Sequence, residues 1–339
     1  MLCRKNSGRR DLLQAGAAAL FAGAFSRVGF AQNGSSGAAP ATPKIRIDAY
    51  SRTLHWVRKP EEVAEVCHQI GNTTIDLTVR AYPGHVDPAK VTTDLPPFVK
   101  TLERNGITVT VLGADINDDK TPYVEDMLGT ASSLGIKHHW WRGFSFDSTK
   151  PYPPQIEALK PRLERLVKLD EKYGMKAMYH PQGGPMFDQL ELIRNFDPRY
   201  VSLHFDTGHW IQVSQSNMAA MIMLAAPYVG GFVWKDAVVE KRDPAAAPGG
   251  GGRGRGGSVN GWGIRQAPVG TGMVDFALAA RTLKLISFDG PTECQPEWTG
   301  LGGAEQGRDT LTLPRETVIG LLKRDYDTIH AALTAAGVA

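Results

Sequence analysis

From Lys44 onward, short runs of apolar and β-branched residues alternate with longer amphipathic stretches, the texture of strands and helices in turn. Eight such pairs can be placed. The strand candidates are Ile45 to Tyr50, Thr74 to Val79, Thr108 to Gly113, Lys137 to Trp141, Lys176 to His180, Val201 to Asp206, Gly231 to Lys235 and Ser287 to Gln295. Between them, Pro60-Glu61-Glu62 opens a helix as proline and acids do. Ile156, Leu159, Leu163, Leu166 and Leu169 recur at helical spacing, and a last helix runs from about Arg315 to Ala335. Each parallel strand connection needs a crossover, so strict alternation predicts a parallel sheet. Eight repeats predict an α/β fold closed into a (β/α)8 TIM barrel over residues 44–337.

One segment breaks the order. Residues 245–260, with Arg253 and Arg255, are too rich in glycine to build an ordered core and read as a surface loop insertion on the catalytic rim. Residues 32–43 have the small, polar composition of a linker. Ahead of them, Lys5, Arg9 and Arg10 precede the apolar run Leu12 to Phe21 and a small-residue stretch ending at Ala31. That is the layout of a signal peptide over residues 1–31, and Arg9-Arg10 followed by Leu12-Leu13 resembles its twin-arginine type. The run is shorter than the roughly 20 residues a membrane span needs, so no stable membrane insertion is expected after cleavage. A periplasmic or secreted destination follows.

Charge reads differently once that segment is set aside. Residues 1–31 hold five basic residues against Asp11, so a formal charge of +3 for the whole chain becomes −1 for the remainder. A near-neutral surface lacks the positive field that phosphate backbones require, which argues against nucleic acid as a partner. Only Cys67 and Cys294 remain beyond Cys3, and no disulfide framework is implied.

In a barrel the reacting groups sit at the carboxyl ends of the strands. Polar residues break the apolar runs there at Tyr82 to Pro88, at Tyr179-His180-Pro181, at His204-Phe205-Asp206-Thr207-Gly208-His209-Trp210, at Trp234-Lys235-Asp236, and at Glu293-Cys294-Gln295-Pro296-Glu297-Trp298. With the later Pro268-Val269-Gly270-Thr271-Gly272, these pieces resemble in order and spacing the xylose isomerase-like barrels, a superfamily of sugar isomerases and epimerases that includes inosose dehydratases and endonuclease IV.

The resemblance implies a divalent metal held by Glu, Asp, His and Glu from strands five to eight, polarising a substrate carbonyl and its neighbouring hydroxyl. By register those positions are His180, Asp206, Val233 and Gln295, with Glu293 and Glu297 on the same strand face as Gln295. The chain therefore departs from the pattern at several ligands. His180, Asp206, His209 and Gln295 (or one of its two glutamate neighbours) still offer nitrogen and oxygen donors suited to Mn, Zn, Mg or Co. The resemblance gives His209 to substrate contact instead, so it serves either role.

Glu297, Glu293 and His180 are the candidate acid or base groups. Lys235 is given an electrostatic role over a Schiff-base one, because Asp236 beside it favours the ammonium. His85, Trp210, Trp234 and Trp298 are candidate substrate contacts, although packing explains the tryptophans equally well. His138-His139-Trp140-Trp141 alternates between the barrel interior and the helices. The expected activity is isomerisation or epimerisation of a sugar or keto-sugar through proton abstraction next to a carbonyl. A lyase or dehydratase on a keto-sugar or keto-glycoside ranks second, and a catalytically inactive sugar-binding barrel third. Export favours a free sugar, inositol or glycoside over a phosphorylated one, and an oligomer is left open.

Overall fold

The computed structural model describes residues 44–147, 149–180, 187–211, 217–241 and 262–339. Residues 1–31, expected to be a signal peptide, residues 32–43, expected to be a linker, the expected loop insertion 245–260 and Pro181 to Gly184 lie outside the described residues. The elements are β1 (Ile47–Tyr50), α1 (Pro60–Ile70), β2 (Thr74–Val79), α2 (Val91–Arg104), β3 (Thr108–Ile116), α3 (Val124–Ser133), β4 (His138–Trp141), α4 (Tyr152–Tyr173), β5 (Lys176–Tyr179) and α5 (Phe187–Ile193). There follow β6 (Val201–Asp206), α6 (Thr207–Trp210), α7 (Met218–Leu224), β7 (Val229–Trp234), β8 (Asp236–Lys241), β9 (Trp262–Ala267), α8 (Phe276–Leu285), β10 (Thr292–Cys294) and α9 (Arg315–Ala336). Strands β1 to β7 and β10 pair in parallel as a closed barrel, in the order β1-β10-β7-β6-β5-β4-β3-β2.

The strand pattern holds closely, with the eighth barrel strand shortened to Thr292–Cys294. The antiparallel pair β8–β9 is an addition: it sits outside the barrel sheet and brackets the glycine-rich insertion. Its alternation was masked by the long run of small residues between its arms.

Period-two alternation divides each strand between two cores. Outward residues such as Leu112, Ala177, Leu203 and Phe232 pack against helix residues such as Leu102, Leu166, Ala279 and Leu283, each large apolar side chain contributing about 1.5–3 kcal/mol on burial. Inward, Tyr50, Val111, Trp140 and Met178 form a separate apolar layer that fills the barrel. On β4 the expected alternation is seen: Trp140 points inward, while His139 Nε2 lies 2.7 Å from Asp170 Oδ1 on α4.

The seam where β1 meets β10 is held from outside. Tyr326 on α9 accepts a hydrogen bond from the Tyr50 N–H (3.1 Å) and donates one to the Cys294 carbonyl (3.2 Å). Both barrel strands at the closure are thereby fixed by one buried phenol.

Candidate active site

At the mouth, the organising residue is Asp206. It ends β6 and caps α6, its Oδ1 accepting the His209 N–H at 2.9 Å. The other oxygen, Oδ2, faces His209 Nε2 (3.6 Å) and Lys235 Nζ (3.4 Å). Thr207 fixes the approach of β7, bonding through Oγ1 to the Lys235 carbonyl (2.7 Å) and N–H (3.0 Å). Lys235 Nζ then donates to Glu297 Oε2 at 2.9 Å, and Glu297 Oε1 takes Arg52 at 2.5 Å.

These contacts set the charges. Burial alone would lower the Lys235 ammonium, but Asp206 and Glu297 outweigh it and raise its pKa. An ammonium held charged cannot serve as the nucleophile of a Schiff base. Burial would raise Glu297, but Lys235 and Arg52 prevail and bring it down to about 2. A carboxylate so firmly ionised is a poor proton acceptor, which weighs against Glu297 as a base and for its use as an anchor. The Lys235 charge comes from Asp206 and Glu297 and not, as expected, from Asp236. Both Asp236 oxygens are taken by backbone N–H groups of Ala237, Gly270, Gly272 and Val274, so the glycine-rich turn after β9 wraps around this carboxylate.

Deeper in the barrel lies a second group. Donor atoms of His180, His204 and Glu293 all fall within 4.8 Å of one another, and each residue is buried. Two glycines make the space: a Cβ on Gly231 would meet the Met178 sulfur at 2.6 Å and His204 at 2.7 Å, and one on Gly113 would meet Asp76 at 2.4 Å. His180 stacks on Trp140 with ring centroids 4.2 Å apart. Gln295 donates to Glu293 Oε1.

This deeper group fits a divalent cation. Burial lowers His180 and His204, the latter to about 3, so both imidazoles are neutral and offer lone pairs. Burial, reinforced by Asp76, raises Glu293 well above the ordinary range, and burial raises Asp76 to about 6. His180 Nδ1, His204 Nδ1, Glu293 Oε2 and Gln295 Oε1 are buried without a hydrogen-bond partner. Neutral nitrogens, unpartnered oxygens and carboxyls that resist ionisation are what a cation would relieve.

Of the expected ligand set, His180 and Glu293, the latter an alternative to Gln295, belong to this three-donor group. Asp206 and His209 form the upper group with Lys235, Gln295 supports Glu293, and Val233 is wholly buried with no donor to offer. His204 is absent from the expected set of candidate donors, although its place two residues before Asp206 puts both on the inward face of β6. Asp48 and Asp76 were overlooked as well, single acids inside the apolar runs of β1 and β2.

The expected substrate contacts stand elsewhere. Trp210 packs on Phe205 and Phe187, and Trp234 on Phe232 and Phe276, in the layer between strands and helices. Trp298 donates its indole N–H to Asp325 on α9 at 2.7 Å. His85 is buried, with Nδ1 against the Thr78 hydroxyl (3.1 Å) and Nε2 against the Val57 carbonyl (3.2 Å). All four side chains serve packing or loop anchoring, whereas His209, Lys235, Glu297 and Arg52 are linked in one chain of contacts to Asp206.

Solved structures share this fold at low identity. The IOLI protein with a bound zinc atom aligns with a TM-score of 0.60 and 15% identity, over 85% of this chain and 99% of that one. A Mycobacterium smegmatis protein in complex with magnesium gives 0.58 and 17%, over 87% and 98%. L-ribulose 3-epimerase gives 0.56 and 14%, over 86% and 96%. No curated protein matches. The family model for the xylose isomerase-like TIM barrel matches residues 60–314, and the chain belongs to that family.

Proposed function

We propose that the chain is a metal-dependent isomerase or epimerase of a sugar or keto-sugar, working by proton abstraction next to a carbonyl. The observation that carries this reading is the convergence of His180, His204 and Glu293 beneath a mouth lined by fixed charges. Those three residues would hold a divalent ion, which supplies Lewis-acid polarisation of a carbonyl and its neighbouring hydroxyl. The fold neighbours support it to the extent that one of them is an L-ribulose 3-epimerase and others carry zinc or magnesium.

The chain's own residues divide the remaining work. His209 is kept neutral by burial, although Asp206 beside it pulls the other way, so its imidazole can accept a proton at neutral pH. Asp206 steadies the imidazolium that results. Lys235 and Arg52, pinned by Glu297, present fixed positive charge to the anion that develops on the substrate at no cost of reorganisation. Elimination from a keto-glycoside would share the first proton transfer and differ in the loss of a leaving group.

The test is incubation of purified, metal-loaded protein with keto-sugars in deuterium oxide. Deuterium should enter the carbon next to the carbonyl, and His209→Asn should abolish it; loss of a leaving group in the product would mark a lyase. Absence of exchange across the series by fully loaded protein would leave a sugar-binding barrel. Export by the twin-arginine route is proposed on residues 4–31 alone, and replacing Arg9 and Arg10 by Lys should trap the chain in the cytoplasm.

A further inference from the structure

Tyr50 ends β1 with its side chain inward, where its ring stacks on Trp140, centroids 5.7 Å apart, in the layer that fills the barrel. Its backbone N–H is pinned by the Tyr326 phenol. A phenylalanine would pack in that layer equally well. The hydroxyl adds a place among charges: Arg52 and Arg80 approach it as hydrogen-bond donors, Arg142 and Lys235 are further cations within electrostatic reach, and the carboxyls of Glu293 and Glu297 face it as well. The phenol therefore stands between the deeper donor group, through Glu293, and the mouth, through Glu297.

Its place in the ring separates it from the base. His209 follows β6, and β6 lies three strands from β1 in a ring of eight, with β7 and β10 between them. Lys235 and Glu297, which follow those two strands, fill the interval with their ion pair. His209 and the Tyr50 hydroxyl both feel the Glu297 charge, and so flank that pair from well-separated sides of the mouth. The two groups are also complementary in state. Burial keeps the His209 imidazole neutral and able to accept a proton, and burial keeps the Tyr50 phenol protonated although Arg52 and Arg80 pull the other way.

We propose that Tyr50 is a catalytic acid of this barrel, delivering a proton to the face of the substrate opposite the one that His209 deprotonates, so that the reaction is an epimerisation. This deepens the proposed function and rests on it for the proton abstraction itself. His209 takes the proton as the C–H bond breaks and its electron pair passes into the enediolate. That pair then takes the proton of the Tyr50 hydroxyl at the other face, and the carbon is inverted. An imidazolium beside Asp206 and a phenolate beside Arg52 and Arg80 remain, and both return to neutral by proton exchange with water.

The test is incubation of metal-loaded protein with L-ribulose, D-fructose or a methyl 3-ketoglucoside in deuterium oxide, reading recovered substrate and epimer separately by NMR and mass spectrometry. In the wild type the first epimer formed should carry deuterium at the inverted carbon, since its hydrogen comes from an exchanged hydroxyl. Tyr50→Phe should form epimer at least about a hundredfold more slowly, the share a positioned acid supplies, while deuterium still enters the recovered substrate at close to the wild-type rate. Equal loss of both, or epimerisation near the wild-type rate, would overturn the proposal. Exchange by the wild type without any epimer, or an epimer that keeps the substrate's own hydrogen, would overturn it too, and neither reading needs a variant should the substitution unfold the chain. No exchange at all by the wild type would take the proposed function down with it.

Discussion

Lys235 Nζ lies 2.9 Å from Glu297 Oε2 and 3.4 Å from Asp206 Oδ2, one buried cation between carboxylates from two different strand ends. Removing one partner of such a group strands the others, a loss of about 3–5 kcal/mol. Lys235→Met should therefore lower the unfolding free energy obtained from urea titration by that amount, and adding Glu297→Gln should restore part of it. A loss within experimental error for the single variant would show that the ammonium does not hold these carboxylates.

Acid should find the same group. The ordinary glutamate value is 4.5 and Glu297 is depressed to about 2, so its contribution to stability is full above 4.5 and is lost as the pH falls towards 2. Melting temperatures of the wild type should drop more steeply across that window than those of Glu297→Gln. Parallel curves would contradict the sign.

Metal content separates the two groups of donors. The purified chain should carry about one divalent ion, measured by mass spectrometry of the metals. His204→Ala and Glu293→Gln should lose it, whereas Asp206→Asn should keep it. The reverse pattern would move the ion to the mouth. Chelation should also lower the melting temperature, since a ligand bound only to the folded state stabilises it.

Gly231 gives a steric test of the same site. A methyl group there meets the Met178 sulfur and the His204 ring at under 3 Å. Gly231→Ala should displace His204 and reduce metal occupancy sharply even in protein that remains folded by circular dichroism. Unchanged occupancy would free His204 from its assigned place.

Trp298→Phe takes the indole donor away from the buried Asp325. An unsatisfied group of this kind costs about 1–3 kcal/mol, so stability should fall by that order while sugar binding is unchanged. A selective loss of binding would return Trp298 to the substrate.

Fold and site were unequally legible in the sequence. Strand-helix alternation is a local property, and β2 and β6 fall where the apolar runs put them. Closure of eight strands follows from their number. The site depends on which face of each strand a residue occupies and on what stands opposite. His180 and Glu293 were visible as polar residues at strand ends. His204 could have been found from its period with Asp206. Arg80 and Arg142 stand one residue beyond β2 and β4, within reach of the same strand-end argument. Lys235 pairing with Asp206 and Glu297, rather than with its neighbour Asp236, could not be read, because the pairing is made across three strands. The tryptophans misled for a related reason: a position near a strand end does not say whether the ring points into the barrel or under a helix.

The Tyr326 phenol bridges the first and last barrel strands, and Glu293 is built into the last of them, opposite Asp48 in the first. The pocket is consequently a property of the finished ring. Seven barrel strands bring His180 and His204 together but not the carboxylate beside them, so the three-donor group is complete only when the last strand has joined the first.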